Sequence, residues 1–186
     1  MPERSIEIRG ARRDEVSVVQ RLAHSVWHAH YPGIIAVEQI DYMLARGYAQ
    51  EALEGFVGRP DRGLEMALVD GEPAGFAAWY MIEGAGECKV DKLYVLQSRQ
   101  RLGLGRRLLE RVTQHARDAG ATTLILNVNK FNAQAILAYE SYGFAIREAV
   151  VNDIGSGFLM DDYVMEKALQ TPLDLPAPPP DVNMQR

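Results

Sequence analysis

Apolar residues recur at three- and four-residue intervals in four parts of the chain, and this spacing places them on one face of a helix. Residues that stop helices follow the first and third parts, namely Tyr31-Pro32-Gly33 and Gly120. Asn132 precedes the fourth part and suits a helix N-terminus, while Gly143 follows it and suits a left-handed helix cap. The pattern therefore predicts helices over residues 14–30, 38–48, 104–119 and 132–143.

Between these helices the chain contains alternating or continuously apolar runs rich in β-branched and aromatic residues, which are typical of strands. Asp70-Gly71 separates two of the runs and is typical of a tight hairpin turn. Another hairpin is predicted around residues 153–157, near the end of the chain. The predicted strands cover residues 6–9, 65–69, 74–81, 87–96, 122–128, 144–152 and 157–168.

The order of these elements predicts a mixed α/β fold. Residues 93–96 and 122–128 are joined by a helix, so these two strands should form a right-handed parallel crossover. We expect one domain over residues 1–170, because 186 residues with 47% hydrophobic content can build one complete core. Residues 171–186 contain five prolines and are predicted to form an extended tail.

Composition narrows the range of partners and compartments. The net charge of −5 argues against nucleic acid as the main partner. The single cysteine, Cys88, rules out an internal disulfide framework and fits a reducing cytoplasm. The N-terminus has no apolar leader, and no run is long enough to span a membrane. The four histidines show no metal-binding pattern, so no metal is expected.

Two glycines in G-x-G spacing, Gly103 and Gly105, stand between a predicted strand and a predicted helix. A helix N-terminus offers unpaired N–H groups and the positive end of the helix dipole, and glycines let a ligand approach the backbone. Such a loop binds anions, phosphates above all. It differs from a P-loop, which needs a following Gly-Lys-Ser/Thr, and from the dinucleotide fingerprint, since Leu108 replaces the third glycine.

A second motif begins directly after the next predicted strand. Asn132, Ala135 and Tyr139 have the spacing N-x-x-A-x-x-x-Y, and Glu140 and Gly143-Phe144 follow. Together with Gln100, Gly103 and Gly105, this arrangement resembles the GNAT-type N-acetyltransferases, which carry Q/R-x-x-G-x-G/A after the fourth strand and the second motif after the fifth. The resemblance covers about residues 87–167.

The resemblance implies a GNAT fold, with a central, mostly antiparallel twisted sheet and flanking helices. Its two parallel strands splay apart, and acetyl-CoA lies between them. The pantetheine arm would pair with the strand edge at Leu93, Tyr94 and Val95, as in strand addition. The pyrophosphate would meet the backbone N–H groups of the glycine loop. The residues that the resemblance assigns to acetyl-CoA are Leu93, Tyr94, Val95, Gln100, Arg101, Leu102, Gly103, Leu104, Gly105, Arg106 and Asn132.

Direct attack of an amine on the thioester needs a proton donor for the leaving thiolate and an N–H donor for the oxyanion. The resemblance assigns the first role to Tyr139, and Val95 is the candidate for the second. Some relatives carry a glutamate base on the fifth strand, where this chain has Asn127. Glu87 on the fourth strand is the chosen substitute, with Asp91 or a chain of waters left open.

The acceptor is predicted to be a small primary amine. Trp27 and Tyr31, at the end of the first helix, are candidates to line its pocket. Together with an acidic stretch over residues 38–72, they give a loose similarity to bacterial spermidine/spermine N-acetyltransferases, so a polyamine is the favoured acceptor. A protein N-terminus, a lysine side chain or a non-catalytic acyl-CoA sensor are the alternatives, and a homodimer stays open.

Overall fold

A computed structural model describes residues 4–169 of the chain. The helices are α1 (Val16–His30), α2 (Val37–Gly47), α3 (Gln50–Glu54), α4 (Leu104–Asp118) and α5 (Ala133–Ser141). The strands are β1 (Ile6–Gly10), β2 (Arg62–Val69), β3 (Glu72–Ile82), β4 (Glu87–Val95), β5 (Thr123–Asn129), β6 (Ala145–Gly155) and β7 (Phe158–Ala168). The predicted tail, residues 171–186, lies outside the described residues.

The predicted mixed α/β fold with a mostly antiparallel sheet is confirmed. The seven strands form one sheet in the order β1-β2-β3-β4-β5-β7-β6, and only β4 and β5 run parallel. The Asp70-Gly71 hairpin forms as expected, with both residues at positive φ (53° and 83°). The first helix starts later than predicted, at Val16, because Arg13–Glu15 form a separate 3-10 turn.

Two hydrophobic cores cover the two faces of the sheet. On one face α4 packs through Leu104, Leu108 and Val112 onto strand residues that include Cys88 and Leu124. On the other face α1, α2 and α3 pack through residues such as Val19, Ile40 and Leu53. These cores fix the sheet between two helical layers, so any opening between strands reaches both layers.

The parallel pair opens along its length. β4 and β5 are paired from Glu87 opposite Thr123 to Val90 opposite Leu126, and no further pairs form between them within residues 4–169. A register shift against β3 falls at this point, because Trp79 pairs with Val90 and Ala78 with Lys92, leaving Asp91 as the extra residue. A bulge of this kind bends a strand. The second half of β4 therefore keeps β3 as its neighbour and has an open edge toward β5.

Candidate active site

A cavity of about 910 Å³ occupies the opening between β4 and β5. Its lining comes from the ends of α1, α2 and β5, the second half of β4, the first turns of α5 and the β6–β7 turn. We call the open β4 edge with the loop 100–106 the cofactor side. We call the ends of α1 and α2, the β6–β7 turn and the lining part of β7 the acceptor side.

The open edge of β4 presents backbone groups to the cavity. Leu96 N–H donates to Ala74 on β3 at 2.9 Å, so its backbone faces away from the opening. Backbone groups alternate in direction along a strand, so Tyr94 also faces β3, while Leu93 and Val95 face the cavity. Two of the three predicted edge residues therefore offer main-chain partners, and Tyr94 contributes its side chain to the acceptor side instead.

The glycine loop leads into α4 as predicted. Gly103 precedes the helix with φ of 73°, in the left-handed region. No backbone carbonyl within residues 4–169 accepts from the N–H groups of Leu104, Gly105 or Arg106, which are the first residues of the helix. A Cβ built on Gly105 meets no atom within 4 Å, so the space beside it is open to a ligand. The loop thus has the groups that hold a phosphate.

The remaining residues predicted for this loop take different positions. Gln100 and Gly105 line the cavity. Leu102 packs partly into the α4 core and the Leu104 side chain is fully buried there, so only their backbones remain for a ligand. Arg101 is exposed at positive φ, and the exposed Arg106 side chain donates to Glu110 at 2.9 Å.

Helix α5 carries the second motif. The Asn132 side chain accepts from Ala135 N–H at 3.3 Å, which confirms it as the N-cap, and its Oδ1 also lies 3.2 Å from His30 Nε2. Tyr139, two turns later, is partly buried, lines the cavity and packs edge-on against Phe144. Burial raises the pKa of Tyr139 to about 12, so the phenol keeps its proton at neutral pH.

An aromatic cluster forms the floor of the acceptor side. The Tyr31 and Tyr94 hydroxyls lie 3.3 Å apart, and the Trp27 ring stacks on the Tyr31 ring with centroids 4.3 Å apart. Trp27 Nε1 donates to the Tyr48 hydroxyl at 3.1 Å. Trp27 and Tyr31 are both buried, at 2% and 8% exposed, and both line the cavity. Burial raises the pKa of both Tyr31 and Tyr94.

Hydrogen bonds join helix α2 to the β6–β7 hairpin on the acceptor side. The Tyr42 hydroxyl and Arg46 Nη1 both donate to the Ile154 carbonyl, each at 2.7 Å. Gln39 donates from its amide to the Leu159 carbonyl at 2.9 Å. We call the contacts of Tyr42 and Arg46 with Ile154 the α2–turn bridge. No motif marks this bridge in the sequence, because its partners lie more than 100 residues apart.

The structure does not bring Glu87 to the cavity. Glu87 pairs with Thr123 at the closed end of the parallel strands and accepts from Arg147 Nη1 at 2.7 Å. It is eight residues from Val95, a distance of about 26 Å along a strand. Its expected role as the base is therefore wrong on geometric grounds. Asp91 does line the cavity, but its carboxylate is paired with Lys92.

A carboxylate that sequence analysis missed lies on the acceptor side. Asp162 of β7 is 6% exposed, lines the cavity and faces Asn129 across the β5–β7 pairing. Its neighbour Asn127 is the residue that replaces the glutamate of some relatives. A charged residue within a predicted strand was the available signal, since such a side chain is rarely buried without a role.

None of the carboxylates in the acidic stretch that suggested a polyamine, residues 38–72, lines the cavity. Several of its members are engaged elsewhere. Glu65 is buried on the α4 side of the sheet against Arg111 and His115, at 3.3 and 3.1 Å. Asp61 pairs with Arg62, and Asp41 is exposed beside His28. These carboxylates therefore do not form an acidic wall for the acceptor.

Among residues 4–169, no helix is both long and apolar enough to cross a membrane. In the same residues, no cluster of three or more His, Cys, Asp or Glu side chains is arranged to hold a metal ion.

Comparisons with known proteins agree with this geometry. The model of the acetyltransferase (GNAT) family matches residues 23–144. An IAA acetyltransferase of Azospirillum brasilense is 30% identical over 60% of this chain and 75% of the relative. An L-amino acid N-acyltransferase, MnaT, of Escherichia coli K12 is 29% identical over 46% of this chain, and the chain spans about half (49%) of that relative.

The fold is also found among solved structures. The PaiA N-acetyltransferase of Thermoplasma acidophilum in complex with coenzyme A superposes with a TM-score of 0.76 and 24% identity. The superposition covers 89% of this chain and 99% of the other. At this identity the likeness concerns the fold.

Proposed function

Because the chain belongs to the GNAT family of acetyltransferases, we propose that it transfers the acetyl group of acetyl-CoA to a small primary amine by direct attack in a ternary complex. One observation carries the proposal. A single cavity joins an unpaired strand edge and an uncapped helix N-terminus, which suit the cofactor, to a set of buried phenols and a buried carboxylate, which suits a small amine.

Acetyl-CoA is the co-substrate, and the cofactor side holds it mainly through backbone groups. The pantetheine amides pair with Leu93 and Val95, as a strand would. The pyrophosphate lies on the N–H groups of Leu104, Gly105 and Arg106, where the helix dipole favours negative charge. Gln100 contributes to the wall beside it.

The transfer itself needs charge stabilisation and proton movements. Val95 N–H donates to the oxyanion that forms when the amine attacks the thioester carbonyl. Tyr139 donates its phenol proton to the departing thiolate, and its raised pKa keeps that proton available at neutral pH. A lysine-like amine must also lose a proton, which costs about 4–5 kcal/mol near pH 7.

A small acceptor is favoured over a protein because the α2–turn bridge joins two elements of the acceptor side where a bound peptide would need room to pass. A polycation is not required, since none of the carboxylates of residues 38–72 lines the cavity, so a polyamine is one small amine among several. The name of one relative adds L-amino acids to the acceptors worth testing. The retained Tyr139 favours an enzyme over a non-catalytic acyl-CoA sensor.

The test is thiol release from acetyl-CoA with a panel of acceptors: spermidine, L-methionine, 2-phenylethylamine and a peptide that begins with alanine. We expect at least one small amine to be acetylated with higher kcat/KM than the peptide. Acetyl-CoA binding without turnover of any acceptor would overturn the proposal in favour of a sensor. Preference for the peptide would overturn the small-amine class alone.

A further inference from the structure

Asp162 is set apart from the other carboxylates of the cavity by its burial. Its position opposite Asn129 places its side chain on the sheet face that Asn127 and Asn129 share, which is the acceptor side. Asp91 is paired with Lys92, and Asp153 lies on the exposed turn and accepts from Gly155 N–H. Among the carboxylates that line the cavity, Asp162 is therefore the one that is more than nine-tenths buried.

One oxygen of this carboxylate has no partner. Asp162 Oδ1 is buried and makes no hydrogen bond with any group of residues 4–169. Lys130, the nearby cation on the loop after β5, forms its ion pair with the adjacent Asp161 instead. A buried carboxylate oxygen without a donor is costly, so this oxygen calls for a partner from outside the chain, such as a ligand that enters the cavity.

We propose that Asp162 binds the ammonium group of the acceptor and removes its proton before attack. The inference rests on the proposed function. In this arrangement Asp162 on β7 takes the place of the glutamate that some relatives carry on β5, where this chain has Asn127. Asp162 and Asn127 line the same cavity. The class of ligand follows from the chemistry: a primary amine that arrives protonated and donates N–H to a carboxylate.

The proton transfers balance over the reaction. The ammonium gives one proton to Asp162, and the free amine forms a C–N bond with the thioester carbonyl carbon. The C–S bond then breaks, and the thiolate takes the Tyr139 proton. The Tyr139 phenolate recovers a proton from the new amide nitrogen, and Asp162 releases its proton to solvent. The net products are the amide, CoA thiol and one proton.

The surroundings of Asp162 change the proton affinity of its carboxylate. Burial raises the pKa of its carboxyl above the ordinary value, while the Asn127 side chain and the charges of Lys89 and Lys130 oppose the rise. Asp161 adds to the rise, and Tyr31 faces the carboxylate from α1. A base with a pKa shifted toward the working pH transfers protons more effectively.

The test compares Asp162→Asn with Asp161→Asn, using the panel amine that the native enzyme turns over fastest. Asp161 is the matched control because it is adjacent, paired with Lys130 and outside the cavity lining. At pH 7 we expect kcat/KM to fall by about 10²–10⁴-fold for Asp162→Asn, the usual loss for a general base, and by less than about threefold for Asp161→Asn.

The pH profile distinguishes a base from a structural residue. In the native enzyme the acid limb of kcat/KM should follow the Asp162 carboxyl, and in Asp162→Asn it should move to the pKa of the acceptor amine itself. The variant should therefore regain activity at high pH, where the amine is already neutral. If the native enzyme and Asp162→Asn have the same pH profile of kcat/KM, the inference is overturned.

Two controls keep the outcomes separate. Calorimetry with acetyl-CoA should give the same affinity for both variants and the native enzyme, since Asp162 lies on the acceptor side. If Asp162→Asn does not fold, the native profile decides: an acid limb that shifts one-for-one with acceptor pKa across the panel overturns the inference. Absence of turnover by the native enzyme with every acceptor would instead be a failure of the proposed function.

Discussion

The cofactor side of the cavity consists mainly of backbone groups from β4 and the start of α4, whereas the acceptor side consists of side chains from α1, α2 and β7. Backbone recognition depends on glycines and on strand geometry, so it leaves a short motif in the sequence. Side-chain recognition depends on residues brought together by folding, and it leaves none. This difference explains why the sequence predicts the activity more readily than it predicts the identity of the acceptor.

Tyr139 stands between the two sides, and removing its hydroxyl should have the largest effect. Tyr139→Phe keeps the ring packing against Phe144 and removes the proton donor. We expect kcat to fall by about 10²–10⁴-fold with little change in the affinity for acetyl-CoA or in acceptor KM. Steady-state kinetics and calorimetry check this. Near-native kcat, with chemistry shown to be rate-limiting, would remove Tyr139 from the mechanism.

Gly105→Glu should disable the cofactor side alone. The new carboxylate enters open space beside the helix N-terminus, where it stabilises α4 but repels a phosphate. We expect acetyl-CoA to bind about 10²-fold more weakly or worse, while the melting temperature stays unchanged or rises. Gly105→Ala, which adds no charge and meets no atom of the fold, is the control with a milder effect. If calorimetry shows that Gly105→Glu binds acetyl-CoA with unchanged affinity, the phosphate does not bind at this loop.

Gly155→Ala should disturb the acceptor side alone, with a smaller effect. A Cβ at this position lies 2.6 Å from the Tyr42 hydroxyl, so the α2–turn bridge has to shift. We expect acceptor KM to rise about tenfold while the acetyl-CoA affinity stays the same.

Gly157→Ala provides the matched control for this substitution. Gly157 is in the same turn, also has positive φ, and its Cβ would meet nothing within 4 Å. Both substitutions add a backbone strain of about 1–2 kcal/mol, but only the first reaches Tyr42. Equal acceptor KM values for the two variants would show that the bridge does not shape the pocket.

The parts of the molecule that the sequence predicts well are those governed by local rules. Asp70-Gly71 specifies its own turn, and Asn132 and Gly143 mark the ends of α5, because each acts on neighbouring backbone groups. The glycine loop is predicted for the same reason. Helix α1 was placed less accurately at its start, where a 3-10 turn competes with the helix.

The acceptor side depends on long-range register, which local patterns do not contain. Asp162 reaches the cavity only because β7 pairs with β5 and places it opposite Asn129. Glu87 failed as the base for the converse reason. It is on the expected strand, but the parallel pairing puts it at the closed end, where it meets Arg147. Predicting either residue would have required the strand order of the sheet.

The buried Asp162 carboxyl also links folding to pH. Because burial raises its pKa in the folded state above the unfolded value, the folded protein holds this proton more tightly than the unfolded chain does. As pH rises from the unfolded pKa through the folded one, the unfolded chain loses the proton first, and this group's contribution to stability declines. Above the folded-state pKa the empty enzyme therefore holds an ionised, buried group that opposes folding, and a cationic acceptor that pairs with this group would restore the lost stability.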